Sequence, residues 1–451
     1  MALDTEQSVG IDEAMALLDL GRASVYRKAK DGELTGEKID GRLCFDRADV
    51  EALRDKLTAA RQTAEAEINK WFEELALEES APEVVDDTEI GDRTESADDT
   101  ADAVSVADLG LRLLQAAFAE GVDDLYIDPV VDGDRVVFHI GGRRHDRGML
   151  STGLAAGLKT WLRETATVQL GADGTGQGIG QVDWAEAQHQ YRVDVLPTLM
   201  GEHVHLRLFP ATARLDDLGY LPVQLAAIRS QLAAGSGLIL LADAADAWSE
   251  RHRRAISQEV SDTGHLVVSL EHRLQYRSEL LVQLDLAAEG RPPFTDMWRA
   301  ALALDPDVIL VDELRDAEAA RAAIDGASGC LVVAQMMATD IAAARRRLEK
   351  WEVDLQSLDL VLRVAVERTH VRRLCSHCRQ ELATPVVDGV GRHYGPAGCD
   401  RCRDGFDGVH AVCGLEIAGA DPSALSLTTS LTHAIASGLT PTGSLHPAQN
   451  T

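Results

Sequence analysis

Four cysteines in two close pairs carry the strongest chemical signal in the chain: Cys375-Ser-His-Cys378 and Cys399-Asp-Arg-Cys402, with twenty residues between them. Two CxxC turns at that spacing present four thiolates tetrahedrally, which predicts a structural zinc site with no open coordination position. The competing readings are a redox pair and unligated thiols. His377 and His393 are spare imidazoles, read as exposed loop residues. Cys44, Cys330 and Cys413 have no partner at metal spacing and are read as buried small apolar residues.

A second place for chemistry is a turn from strand into helix. Gly237-Leu-Ile-Leu-Leu-Ala242 is a short apolar run followed by Asp243-Ala-Ala-Asp-Ala-Trp-Ser-Glu-Arg-His252. About 65 residues on, Val308-Ile-Leu-Val311 ends in Asp312-Glu313. Strand, loop and helix, with a later strand tipped by acids, is the layout of a nucleotide-hydrolysing α/β domain. Acids and a tryptophan stand where its glycine-rich phosphate loop is expected.

The elements that position these groups belong to a chain of 451 residues with 45% hydrophobic content, enough for real cores and roughly three domains. A formal charge of −30 repels phosphate polymers and anionic membranes at long range, so nucleic-acid contact needs a local basic patch. There is no apolar run of membrane-spanning length and Met1-Ala-Leu-Asp-Thr-Glu6 lacks the regions of a secretion signal, so a cytoplasmic protein without membrane insertion is expected. Residues 78–102 hold eleven Asp or Glu against one Arg, which predicts an acidic, disordered linker over 76–104.

Ahead of that linker, residues 1–75 read as a small module. Ile11 to Leu18 has helical spacing, Asp19-Leu-Gly21 is a turn, and Arg22 to Lys30 is a second helix. Leu34 to Phe45 reads as a hairpin turning at Asp40-Gly41, and Asp46 is placed to cap a third helix continuing towards Trp71-Phe72. The segment resembles the winged helix-turn-helix of the excisionase and MerR-like families, on Ser24-Val-Tyr-Arg27, Gly32-Glu-Leu34 and the hairpin. The DNA-contact candidates are Arg22, Ser24, Tyr26, Arg27, Lys28 and Lys30 on the second helix and Lys38 and Arg42 on the wing. The same face also suits docking to a protein.

The middle segment, 105–212, alternates short strands with one clear helix at Leu109 to Phe118. It and the remainder carry Gly121-Val-Asp-Asp-Leu-Tyr-Ile-Asp-Pro129, Ile140-Gly-Gly142, Arg192-Val-Asp-Val-Leu-Pro197, Gly201-Glu202 with Arg207, Leu218-Gly219, and Leu302-Ala-Leu-Asp-Pro-Asp-Val-Ile-Leu-Val-Asp-Glu-Leu-Arg-Asp316. On these segments the chain resembles the secretion ATPase family, the motors of type II secretion and type IV pilus assembly. With the winged helix-turn-helix ahead of it, the chain is expected to be multidomain α/β: the resemblance implies an α+β intermediate domain over 105–212 and a RecA-like P-loop-type α/β motor over 213–417. It places the zinc module at 371–408 and leaves a C-terminal tail at 418–451. The resemblance also implies a hexamer, of this chain alone or with another, and as partners a secretion or pilus assembly ATPase and inner-membrane platform proteins.

The motor's chemistry departs from that pattern. A phosphate loop needs glycines to converge backbone N–H groups on the phosphates, a Lys for the β and γ groups, and a Ser or Thr for magnesium. Asp243, Asp246 and Trp248 replace the glycines, Ser249 the lysine and Glu250 the hydroxyl, so ATP and magnesium are not expected to bind. Asp246 or Glu250 can instead cap the free N–H groups of the following helix. Glu271 keeps one acid of the family's acidic box, Met337 replaces a histidine, and Glu313 survives as the water-activating candidate. Glu313 and Glu271, with Arg192 and Arg207, which in the family's pattern reach towards nucleotide, are relic catalytic candidates. The reading is a catalytically inactive pseudo-ATPase acting as an adaptor or regulatory subunit. The alternatives are a helix-turn-helix transcriptional regulator that oligomerises through the ATPase-like body, and an active secretion ATPase of unusual cradle.

Overall fold

The structure, a computed structural model, describes residues 8–10, 14, 17–18, 28–29, 34–39, 42–56, 106–140, 143–184, 187–209, 214–243, 247–261, 264–286, 292–382, 393–399, 402, 404–419 and 422–445. The chain divides into two compact units, Asp55–Ala211 and the combination of Met1–Arg54 with Thr212–Thr451. The linker expected over 76–104 and most of the helices expected over 11–18 and 22–30 lie outside the described residues.

At the N-terminus, β1 (Ser8–Gly10), β2 (Gly36–Ile39) and β3 (Arg42–Asp46) form a sheet in the order β1-β3-β2. Ile39 pairs with Arg42, the register of a two-residue hairpin connection. The Asp46 carboxylate accepts from the N–H groups of Ala48 (2.8 Å) and Asp49 (3.4 Å), capping the helical residues 47–56.

The unit Asp55–Ala211 holds α1 (Val106–Ala119), β4 (Asp124–Val130), β5 (Gly133–Ile140), β6 (Arg143–Leu150), α2 (Thr152–Thr165), β7 (Gln169–Leu170), β8 (Gly176–Trp184), β9 (Ala187–Thr198) and β10 (Gly201–Phe209). Its seven strands lie in the order β6-β5-β4-β10-β9-β8-β7, all neighbours antiparallel. Alternate residues on β4, β9 and β10, among them Leu125, Ile127, Val193, Val204 and Leu206, are buried with Leu109, Leu113 and Leu114 of α1 and Leu158 and Leu162 of α2. The helix α2 corrects the expectation of one helix. Two glycines dilute its signal, yet Leu154, Leu158, Trp161 and Leu162 keep helical spacing and Ser151 caps it.

The second unit continues with α3 (Pro222–Leu232), β11 (Gly237–Asp243), α4 (Ala247–Ser261), β12 (Val267–Glu271), β13 (Val282–Asp285), α5 (Phe294–Leu302), β14 (Val308–Val311), α6 (Ala317–Gly326), β15 (Leu331–Met337), α7 (Ile341–Lys350), α8 (Leu355–Val361), β16 (Leu362–Leu374), β17 (Gln380–Glu381), β18 (Tyr394–Gly395) and β19 (Phe406–Ile417). The main sheet runs β13-β12-β14-β15-β11-β16-β19, parallel except for β19 against β16. Its interior strands β11 and β14 are buried on both faces. Leu238, Leu240, Ala242, Ile309 and Val311 join one core, and Ile239, Leu241, Val308 and Leu310 join the other. Gly219 is required where it stands: its φ is +81° and a Cβ there would lie 1.9 Å from the Ala411 carbonyl oxygen.

The residues set apart as a tail, 418–451, are in their described part packed structure. The helices α9 (Pro422–Leu425) and α10 (Leu427–Ala436) follow β19, and Leu431 and Ala434 share a core with Val371 and Val412. The Ser and Thr content hides this, because Leu427, Leu431, Ala434 and Ile435 still mark one apolar face and Ser426 caps the helix. Gln224 on α3 ties the helices down. Its Nε2 lies 2.9 Å from the Cys413 carbonyl, 3.0 Å from that of Leu425 and 2.9 Å from the Ser430 hydroxyl. Removing that buried donor in Gln224→Ala is expected to cost about 2–4 kcal/mol, read as a lower urea midpoint with faster amide exchange in α10. An unchanged midpoint would show that α10 docks without it.

Candidate functional site

In a parallel sheet ligands bind beyond the carboxyl ends of the strands, and on β11 that end is Asp243. Neighbouring β16 runs parallel to β11, with Ala242 opposite Glu367, and brings Arg368 alongside. The Arg368 Nη2 group donates to the Asp243 carboxylate at 2.7 and 2.6 Å. Their side chains are 2% and 6% exposed, so this is a buried ion pair. The Asp243 carbonyl accepts from the Ala338 N–H across β15 at 3.3 Å. Both polar ends of Asp243 are therefore bonded within the protein.

Three further buried groups surround the pair. The Tyr220 hydroxyl is hydrogen-bonded to Nε2 of His252, on α4. Burial, helped by the charge of Arg368, pushes His252 down to about 3, so its ring is neutral. A neutral Nε2 facing a phenol that burial pushes well above its ordinary value accepts the proton that Tyr220 donates. Burial also pushes the Cys413 thiol up to about 12, and it donates to the Leu218 carbonyl at 3.4 Å. Cys330 and Cys413 are buried and Cys44 is half-buried.

The first turn of α4 buries Ser249 and Glu250. Glu250 is paired with Arg253 one turn along the helix. Burial opposes the charge on Arg253, but the carboxylates of Glu250, Glu271 and Asp312 outweigh it and raise Arg253 above its ordinary value. Asp246 and the Trp248 side chain lie outside the described residues.

The other strand ends are also occupied by internal bonds. Glu271, ending β12, accepts from the Ser269 hydroxyl at 2.8 Å and the Gln283 amide at 3.0 Å. Asp312, just after β14, accepts from His272 Nδ1 (2.8 Å) and from the backbone N–H groups of His272 (2.6 Å) and Arg273 (3.2 Å). Glu313 is half-buried and accepts from Arg315 Nε at 2.9 Å. Met337 is exposed at the end of β15. Four buried carboxylates, Asp243, Glu250, Glu271 and Asp312, thus meet two buried guanidiniums, Arg253 and Arg368. At 5 Å and an effective dielectric of about 20, each unit charge of an incoming phosphate meets roughly 3 kcal/mol of repulsion per uncompensated carboxylate.

In the unit Asp55–Ala211, Arg192 and Arg207 are held by neighbours on their own sheet. Arg192 donates to Asp194 through Nε (3.0 Å) and Nη2 (2.8 Å) and is 1% exposed. Arg207 donates to Asp124 at 2.8 Å, and His205 bridges Asp124 (2.8 Å) and Asp194 (3.3 Å). Tyr126 stacks on His205 with ring centroids 4.9 Å apart. Burial would raise Asp124, but His139, His205 and Arg207 hold it well below the usual carboxylate range.

The four cysteines come together at the far end of the β16–β19 ribbon. Cys375 and Cys399 sulfurs are 3.9 Å apart, Cys378 and Cys402 3.6 Å, and Cys399 and Cys402 3.6 Å. Four sulfurs at 2.3 Å from a tetrahedral zinc lie about 3.8 Å apart, so the donor set fits that metal. All four ligand atoms lie within 4.8 Å of one another, and among the described residues no other such group is present.

Among the DNA-contact candidates, Arg22, Ser24, Tyr26, Arg27 and Lys30 lie outside the described residues. Lys28 is half-buried in helical backbone, and Lys38 and Arg42 stand on β2 and β3. Sequence reasoning missed Arg368, Tyr220 and His252. An arginine inside the buried run Val364-Ala-Val-Glu-Arg368 was the available signal for the first.

The family described as Type II/IV secretion system protein matches residues 99–439. The chain is 28% identical over 317 residues to the Protein transport protein HofB homolog of Escherichia coli, covering 68% of this chain and 69% of that protein. It is 26% identical over 332 residues to the Type IV pilus assembly ATPase PilB of Pseudomonas aeruginosa, covering 70% and 58%. It is 25% identical over 388 residues to the Type II secretion system protein E of Klebsiella pneumoniae, covering 82% and 76%. The chain thus spans less than two thirds of the pilus assembly ATPase. Among solved structures, the fold is that of the Legionella pneumophila ATPase DotB (TM-score 0.55, 17% identity, 75% of this chain and 94% of that one). The pilus retraction motor PilT with bound ADP is also similar (TM-score 0.50, 16% identity, 76% and 97%).

Two outcomes test this geometry. Arg368→Met should destabilise the protein by about 3–5 kcal/mol in denaturant unfolding, and adding Asp243→Leu should recover most of the loss, because a buried charge without its partner is what costs. Metal analysis should find one zinc per chain, lost with a fall in melting temperature on chelation and absent in Cys378→Ser.

Proposed function

The chain belongs to the Type II/IV secretion system protein family, and we propose that it is a member that keeps the motor's shape without its nucleotide chemistry. The observation that carries this reading is the Asp243–Arg368 pair at the end of β11. It sits where a phosphate loop begins, on a chain with no glycine, lysine or magnesium-binding hydroxyl at the positions that loop requires. The residues present do not fit ATP and magnesium: acids face the site, and Glu313 is turned to Arg315. Arg192 and Arg207, the candidates for reaching a nucleotide, are paired to Asp194 and Asp124.

On this reading the protein is an adaptor or regulatory subunit. It associates with an active secretion or pilus assembly ATPase and the inner-membrane platform, entering or capping the motor's ring. Residues 1–75 dock DNA or another protein. The location is cytoplasmic, and no helix among the described residues is long and apolar enough to cross a membrane. Cys375, Cys378, Cys399 and Cys402 would hold a structural zinc that fixes the end of the β16–β19 ribbon; four protein ligands leave it no catalytic position.

Phosphate release from ATP with magnesium should stay at background in the purified chain and be the same in Glu313→Gln. Millimolar ATP should leave the melting temperature unchanged. Steady release that vanishes in Glu313→Gln would overturn the proposal and restore an active ATPase.

A further inference from the structure

The sheet of the unit Asp55–Ala211 packs one face against α1 and α2, and strand alternation sends Asp124, Asp194 and His205 to the other. His205 on β10 stands opposite Asp194 on β9 and Tyr126 on β4. Its side chain is 16% exposed, and each ring nitrogen meets a different carboxylate: Nε2 lies 2.8 Å from Asp124 Oδ1, and Nδ1 lies 3.3 Å from Asp194 Oδ2. The Tyr126 ring covers one face of the imidazole.

Proton counting fixes the charge of that ring. A neutral imidazole has one N–H and one lone pair, so one of its nitrogens would turn a lone pair on a carboxylate. The spare proton is not on the acids. Burial would raise Asp124, but His139, His205 and Arg207 hold it well below the usual carboxylate range. Asp194 receives Nε and Nη2 of Arg192 at 3.0 and 2.8 Å, from a guanidinium that keeps its charge. Burial likewise opposes a charge on His205, but the two aspartates outweigh it and raise the ring above its ordinary value. Four further groups share this face among the described residues. His203 of β10 is pushed down by burial and lies 2.9 Å from Asp128 of β4. Tyr126 is raised by burial and stays a neutral phenol, with Arg144 of β6 5.3 Å over its ring. His139 of β5 lies 3.7 Å from Asp124.

We propose that His205 is a proton-operated latch across three strands: as the imidazolium it ties β10 to β4 through Asp124 and to β9 through Asp194, and giving up one proton opens the Asp194 side. The proton leaves Nδ1, the longer contact, for water, and Nε2 keeps its bond to Asp124. A lone pair then faces Asp194, and the β9–β10 pairing loosens from that rung towards its turn. The turn carries Leu199 and Met200, both exposed, so pH sets how firmly an apolar hairpin tip is held. A histidine raised on folding contributes fully below its unfolded value of about 6.5, and the contribution is lost as pH rises through the folded value. His203 is shifted the other way, so it costs stability only as pH falls below about 6.5 and leaves the alkaline side to His205.

The test is nitrogen NMR of the full chain labelled at histidine, with the His205 signals identified by their loss in His205→Gln. At about pH 7, where an ordinary histidine is mostly neutral, both His205 nitrogens should read as protonated, and Nδ1 should lose its proton as pH rises towards about 9. Asp194→Asn should move that midpoint to lower pH. Amide exchange, corrected for its intrinsic rate, should show protection over residues 194–205 falling several-fold or more across the same range while β5 and β6 hold theirs. No cysteine lies between residues 55 and 211 to titrate there. His205→Gln should exchange at the high-pH level throughout. A neutral His205 tautomer at about pH 7 would overturn the proposal. Protection that ignores pH, or that falls equally in His205→Gln, would overturn it as well.

Discussion

The second unit depends on a buried ion pair, Asp243 with Arg368, at the end of the interior strand β11. Two charges in a low-dielectric interior constrain what surrounds them, because either one left alone costs several kcal/mol. The pair holds β11 against β16 at the point where the chain leaves the sheet. β16 in turn carries β19, the four cysteines at its far end and the helix α10 packed on its outer side. Tyr220, His252 and Cys413 are buried beside the same pair, and its charges act on them.

Electrostatics at the sheet edge follow from that pairing. A phosphate loop works because converging N–H groups and a lysine offer positive potential to a highly charged anion. Here the carboxylates of Asp243, Glu250, Glu271 and Asp312 occupy the edge, and their neighbours are internal: Arg368, Arg253, Gln283 and the His272 and Arg273 N–H groups. Each acid that would repel a phosphate is part of a bond that holds the edge together. On the proposed reading, the scaffold and the loss of nucleotide chemistry rest on the same residues.

Sequence reading recovers the parts of this arrangement that are local. The apolar runs of β11 and β14 are buried on both faces, and such runs need no partner to be recognised. The cysteine spacing carries its own geometry into the structure. The helix α2, with two glycines, and α10, rich in Ser and Thr, are obscured by composition although their apolar spacing is intact. The Asp243–Arg368 pair was illegible for a different reason. Its members are 125 residues apart and meet only through strand order, which no local pattern encodes. Arg192 and Asp194 are two residues apart on β9 and share a face by strand alternation alone, whereas Asp124 becomes the partner of Arg207 only once β4 and β10 are in register.

The most direct test of the account is a crystal structure of the full chain grown with magnesium and a non-hydrolysable ATP analogue. The account predicts an intact Asp243–Arg368 pair and no nucleotide at the start of α4. A triphosphate bound there, with Arg368 turned from Asp243 towards its phosphates in the role of the missing lysine, would contradict it.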